Sequence, residues 1–405
     1  MKKLTPITLA IATAVMGTST AYAAGFQTTT HSATGMGRAN AGEAAIADNA
    51  AALIRNPALM AMFKETQFSG GLNIVDPKTN LTNINHSGQP LPDQTNITAV
   101  TPVPNVAWVM PINDSWAIGA AAFSNFATGS EYSKDFNNMG VAGLFGGKTQ
   151  VTTANLNFSA SYRINEQLSL GAGINAIYGV GDFMRTAPAL GGLADVNFQG
   201  DGVTFGWDVG AVYEINADHR FGVSYRSGAT IEAKGNGTFS VVELSSLKLN
   251  LPAMAEFSGF HQVADKWAVH YSAQWTGWSA FDAVNFFAGD DLAYAKQYGW
   301  EDSYRAALGT TYSLNQDWTL RAGLAYDKSP VPDSKRSISI PDSNRVWYSA
   351  GFGYKLNEKS NLDFGITWID GEATQINEAI PDLATMSGIT QTDALIYGLQ
   401  YNRSF

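Results

Sequence analysis

Six stretches of this chain repeat one pattern, and that pattern excludes most of what 405 residues could otherwise become. "PINDSWAIGAAAF" (111–123), "YRINEQLSLGAGINAIY" (162–178), "YEINADHRFGVSYR" (213–226), "HQVADKWAVHYSAQW" (261–275), "YSLNQDWTLRAGLAY" (312–326) and "YKLNEKSNLDFGITW" (354–368) share it. Each runs from the end of one alternating segment, through a turn bearing Asn or Asp, into the start of another. Alternation with period two marks a strand with one apolar and one polar face, and a short turn between two such runs makes a hairpin. Six hairpins with longer, irregular segments between them, plus one strand at each end, predict fourteen strands, from 67–76 at the start to 392–405 at the end.

The composition of the two faces indicates the solvent on each side. Leu156, Phe158, Ala160 and Tyr162 alternate with Asn155, Asn157, Ser159 and Ser161, and Trp267, Val269, Tyr271 and Ala273 alternate with Ala268, His270, Ser272 and Gln274. A water-facing sheet would place Lys and Glu on its polar side; here that side is mostly Ser, Thr, Asn, Gln and Gly. Aromatic residues collect beside the turns, at Trp116, Tyr162, Trp267, Tyr312, Trp318 and Tyr354, where an interfacial girdle belongs. The apolar face is therefore expected to meet lipid and the polar face a lumen. Only a closed barrel satisfies its amides in hydrocarbon. The expected fold is an all-β transmembrane barrel of 14 antiparallel strands, and the terminal "TDALIYGLQYNRSF" ends on Phe405, as strands offered to an assembly machinery do.

Composition removes competing classes. There is no cysteine, so no disulfide framework and no thiolate metal site. Lys and Arg number 25 against 35 Asp and Glu, which argues against nucleic acid as a partner. A mean hydropathy of −0.09 excludes a bundle of membrane helices but not membrane strands. Lys2 and Lys3, an apolar run from Ile7 to Met16, and Ala21-Tyr22-Ala23 predict a cleaved signal peptide over 1–23. Its loss takes the net charge from −10 to −12. Residues 24–66 then precede the barrel, 67–405. They carry Ile46, Leu53, Ile54, Leu59, Met60, Met62 and Phe63, too many apolar groups to leave in water, and so predict a partly helical hatch that plugs the lumen. A helix is expected around 42–54, ended by Pro57. The outer segments 128–150, 184–202 and 285–300 mix aromatic and aliphatic residues with glycine, a composition suited to an apolar solute.

The stretches "SATGMGRANAGEAAIADNAAALIRNPAL", "LNFSASYRINEQLSLGAGINAIY" and "KSPVPDSKRSISIPD" resemble the bacterial outer-membrane long-chain fatty acid transporter family, and the likeness covers nearly the whole mature chain. The resemblance implies a monomeric, multi-pass barrel of the bacterial outer membrane, surrounded by lipid and lipopolysaccharide and inserted by the barrel assembly machinery. It implies passive uptake of long-chain fatty acids, and phages as further partners. Capture at the apolar loops, transfer to an internal pocket, hatch rearrangement and lateral exit at a kinked third strand would follow one another. The matching positions are Ser124, Asn125 and Phe126 for the kink, and Arg185 and Lys296 for ligand binding. Phe26 is the expected ligand-sensing hatch residue, and Asn56, Pro57 and Ala58 the hatch motif. A break in alternation lets a strand leave its ladder, and Arg or Lys can hold a carboxylate; the alternative for both cations is a salt bridge, to Asp182 or Glu301. The competing function is a channel for aromatic hydrocarbons or other small hydrophobic molecules.

Catalysis has no support. The five histidines, His270 beside Ser272 and Gln274 included, have no nucleophile elbow near them, and "GMGRANAG" (35–42) lacks the strand that a dinucleotide fingerprint follows. No metal site and no cofactor are expected.

Overall fold

The computed structural model describes residues 25–405; the expected signal peptide, 1–23, lies outside them. Strand segments form fourteen antiparallel staves, each paired with its neighbours in sequence. The first, Gln67–His86, pairs with the last, Ala384–Ser404, from Gln67 opposite Ser404 to His86 opposite Met386, and this closes the barrel. No described helix is long and apolar enough to cross a membrane; the strands do so.

The repeated Asn explains four of the six hairpins. The Oδ1 atoms of Asn113, Asn165, Asn216 and Asn315 each accept two backbone N–H groups, from the residues two and three places on, at 2.8–2.9 Å. A side chain that satisfies the turn in this way fixes where one strand stops and the next begins. Faces follow from register: Ile174 and Phe205 are 66% and 74% exposed to the surroundings, while Asn175 between Ile174 and Ala176 is buried. Several staves run further than the sequence suggests. The first continues to His86 rather than 76, and the last begins at Ala384 rather than 392, because their mutual pairing persists beyond the span needed to cross hydrocarbon.

The lumen face differs from expectation. On the strand Leu168–Arg185 the buried positions are Ser169, Gly173 and Asn175 toward the short-turn end, then Ile177, Gly179, Gly181 and Phe183, and finally Arg185. On this stave the lumen face is polar in its periplasmic half and apolar or glycine in its extracellular half, up to Arg185 at the rim.

The chain preceding the first stave lies inside the barrel, and it is less helical than predicted. Instead of a helix over 42–54 there are single turns at Ala33–Met36 and Ala52–Arg55 and a 3-10 helix at Pro57–Met62. The wall supplies the partners that a helix would otherwise supply to itself. Ser272 accepts from the Gly42 N–H, Ser258 from the Ala44 N–H, and Arg220 and Arg305 donate to the Ala45 and Ala39 carbonyls. Close approach also requires wall glycines. A Cβ on Gly171, Gly210, Gly222, Gly323 or Gly365 would collide with hatch atoms between Ala33 and Ala58.

Candidate functional site

Phe26 is fully buried at the centre of the extracellular half. Its ring meets those of Trp278 at 4.6 Å, Phe281 at 5.0 Å, Trp300 at 5.8 Å and Phe126 at 6.0 Å, mostly edge to face. Ile177, Phe183, Phe198, Ile231, Leu247 and Leu249 continue the same cluster along the wall. Gly25 makes this seating possible: its φ is +65°, and a Cβ there would strike Trp278 and Trp300. Its N–H donates to Asp342, which also accepts from Ser329 and pairs with Arg345.

The third stave is broken. Trp116–Phe123 ends, Ser124, Asn125 and Phe126 turn out of the ladder, and pairing resumes at Ala127–Glu131. Below the break, Val106–Pro111 pair with Ala117–Ala122. Above it, Thr101–Asn105 keep only their partners Gly71–Val75, so the wall between the second and third staves has a window. Pro102 and Pro104 lie on this edge, where residues without an N–H leave no donor unpaired. Ile97 closes the top: its N–H donates to Thr79 and its carbonyl accepts from Glu131, joining the first and third staves directly.

The N-terminal segment takes up what the break releases. Gln27 bridges Phe126, the Thr28 N–H donates to Asn125 O at 2.6 Å, and the Ala127 N–H donates to Phe26 O at 2.9 Å. Ser124 O accepts from the Thr28 hydroxyl at 2.6 Å and from His31 Nε2 at 2.9 Å. From the other side Thr153 accepts from the Phe126 N–H and donates its own N–H to Phe126 O. The backbone of Phe26 and Thr28 thus supplies hydrogen bonds to the edge of the window.

Arg185 and Lys296 lie at the extracellular rim, and neither has the salt bridge anticipated for it. Arg185 donates to the Lys148 and Met184 carbonyls and to the Thr149 hydroxyl, all neutral acceptors; Asp182 pairs with Lys148 instead. Lys296 pairs with Glu378 at 2.5 Å, not with Glu301. Burial alone would lower the Lys296 ammonium, but Glu378 beside it more than offsets this and keeps it above its ordinary value. Both cations act on Tyr294, which stacks on Phe239 at 5.0 Å and meets Phe286 at 5.6 Å at the top of the apolar cluster. Cationic groups and greasy rings thus share one mouth.

The motif Asn56-Pro57-Ala58 is far from that mouth. Asn56 Oδ1 accepts from the Ala58 N–H, and its Nδ2 donates to the Ala44 and Ala211 carbonyls at 2.7 and 3.1 Å, pinning the 3-10 turn to the sixth stave. Around it the periplasmic half is ionic. Arg38 pairs with Glu43 and Asp48, and Arg321 with Asp363, which also accepts from Thr34 and Asn402. His270 belongs to this polar layer, bonded to Thr311 at 2.8 Å. Sequence reasoning missed Trp278, Thr153, His31 and Asp342. Their signal was weak, since long-range contacts define them; the two prolines of "TPVPN" were the legible sign of an open edge.

The sequence model of the family described as "Outer membrane protein transport protein (OMPP1/FadL/TodX)" matches residues 14–405. The chain is 38% identical over 436 residues to the long-chain fatty acid transport protein of Salmonella typhi, with 98% of each covered. Its fold is similar to that of a Pseudomonas aeruginosa FadL homologue, with a TM-score of 0.85 at 22% identity over 94% of this chain and 100% of that one. The Pseudomonas putida toluene transporter TodX is similar at a TM-score of 0.67 and 19% identity, over 88% of this chain and 94% of that one.

Proposed function

Because the chain belongs to the OMPP1/FadL/TodX family of outer membrane transport proteins, we propose that it carries long-chain fatty acids passively across the bacterial outer membrane. The observation that supports the reading most is the junction of pocket and window. The ring that fills the apolar cluster, Phe26, belongs to the segment whose backbone holds the broken third stave at Phe126 and Ala127. An acyl chain that enters from the loops competes with Phe26 for the same greasy space. Once Phe26 yields, the hydrogen bonds at Asn125 and Ala127 go with it and the window loosens. Cargo then leaves sideways into the bilayer, so its tail never crosses a polar lumen, where each exposed methylene would cost about 0.8 kcal/mol.

The nature of the head group separates the two readings. Arg185 has neutral partners only among the described residues, so a carboxylate can add a charge-assisted contact there, with Lys296 nearby. An aromatic hydrocarbon needs neither cation. Oleate and toluene binding, measured for the wild type and for Arg185→Ala/Lys296→Ala, tests this. The expected outcome is a loss of oleate affinity of about tenfold or more, with toluene binding unchanged. Equal oleate affinity in both proteins would overturn the assignment of the cations, and tight toluene binding with no oleate binding would favour the hydrocarbon channel.

A further inference from the structure

Met254 closes the floor of the apolar cluster, where Gln27 donates to its sulfur at 3.0 Å. On the other side of Met254 lies a polar cavity that the route above does not use. His31, Arg55, Asn125, Asp208, Arg226 and Gln274 are among its walls. It offers about 30 Å³ to the centres of water-sized molecules, room for roughly two waters. Four buried atoms of its walls have no hydrogen-bond partner among the described residues: the donor Arg55 Nη2, the acceptors Asp208 Oδ2 and Gln274 Oε1, and His31 Nδ1. Buried polar atoms are satisfied in nearly all folded proteins, so a cavity with four orphans around it is built to hold something polar.

The two guanidinium groups differ. Arg226 is committed, donating to Asn175 Oδ1 at 2.7 Å and to the Ile54 carbonyl at 2.5 Å. Arg55 is not. Its side chain is 8% exposed, and its carboxylate neighbour, Glu256, stands off at 3.9 Å. The Ser258 and Ser272 hydroxyls hold Glu256 by its other oxygen, Oε1, at 2.8 and 3.0 Å. Arg55 thus has half of its fork open in a site that touches the apolar cluster at Met254 and the broken stave at Asn125.

We propose that this cavity is a transient carboxylate site on the way out. The head group of the cargo takes the place of one cavity water and is held by Arg55, a water that stays behind donating to Asp208 Oδ2 and Gln274 Oε1, while the tail still lies against Met254 and the Phe26 cluster; it then passes Asn125 into the window. The site is distinct from the rim, where Arg185 and Lys296 lie, and it divides the descent of a charged head group into two short steps. The inference rests on the reading of the protein as a carrier of carboxylated amphiphiles, and it predicts a selectivity that the rim alone would not impose. A neutral ester of the same tail gains nothing at Arg55.

The test is transfer of oleate and of methyl oleate through the full-length protein reconstituted in vesicles, with Trp fluorescence quenching as a separate report of occupancy beside Trp278 and Trp300. Arg55→Gln is expected to slow oleate about tenfold, to leave methyl oleate unchanged, and to leave the quenching titration within about twofold; Arg55→Lys should recover part of the rate. Gln274→Glu, which sets a competing carboxylate in the same cavity, is a second variant should Arg55→Gln fail to fold, and should slow oleate selectively too. Unchanged oleate transfer in folded Arg55→Gln would mean that the cavity holds water only, and an equal slowing of both cargoes would mean a structural role; either overturns the proposal. Failure of the wild type to move oleate at all would instead remove the fatty acid reading itself.

Discussion

The two halves of the lumen fill the same barrel with opposite chemistry. Toward the periplasm, the hatch backbone lies against wall glycines and its charges are paired, as in Arg38 with Glu43 and Asp48. Toward the outside, one aromatic ring, Phe26, stands among others with no hydrogen bond of its own side chain. Directional bonds and backbone contact hold a shape, because losing any one leaves a buried polar group without a partner. Apolar contact is non-directional, so an acyl chain can replace a phenyl ring at small cost. The first half is suited to stay closed and the second to exchange its contents.

Substitutions that make one half behave like the other test this difference. The largest effect is expected from Gly222→Val, whose added atoms would meet the Ala44 carbonyl. The hatch cannot seat, and planar-bilayer recordings should show steady ionic conductance or the protein should fail to assemble, whereas the wild type should conduct little. Arg38→Met leaves the buried Glu43 and the exposed Asp48 without their cation, a loss on the order of 3–5 kcal/mol for a fully buried pair and well below that for the open Asp48 side. Hydrogen exchange over residues 33–48 should accelerate while exchange in the staves does not. Phe26→Ala removes a buried ring at a cost of about 3 kcal/mol or somewhat more. It should free residues 25–31 and alter fatty acid uptake without raising conductance; unchanged uptake and unchanged N-terminal order would remove Phe26 from the route.

The smallest effect is the response to acid. Burial alone would raise the Asp48 carboxyl, but Arg38 beside it and Arg321 further off outweigh this and hold it at about 2. A depressed carboxyl contributes stability that is present above its unfolded value, near 3.9, and is lost as pH falls through the folded one. Hatch protection should therefore be flat from neutral pH to about 4 and decline only toward about 2. A decline beginning near pH 5 would mean that the Arg38 cluster does not govern the closed half.

What was legible in the sequence was whatever the strand period carries. Alternation, the Asn or Asp of each turn and the aromatic ends read directly as hairpins in a membrane, because local residues decide them. The hatch was legible as a segment, but its helix was not: the partners of its backbone, Ser258, Ser272, Arg220 and Arg305, lie far along the chain. The greasy upper lumen was present as a change from Ser169, Gly173 and Asn175 to Ile177 and Phe183 within one strand, and an alternation averaged over whole strands hides such a gradient. Arg55 is a lone cation in "ALIRNPAL", and its open fork depends on where Ser258 and Ser272 hold Glu256, which no local pattern records.

The borrowed bonds of the hatch also set an order of events in biogenesis. Beside their local bonds, the turns of the hatch rest on side chains hundreds of positions later, Gln400 for Ala33 and Asp363 for Thr34. The hatch therefore gains its full set of bonds only once Ala384–Ser404 has paired with Gln67–His86 and the cylinder has shut around it.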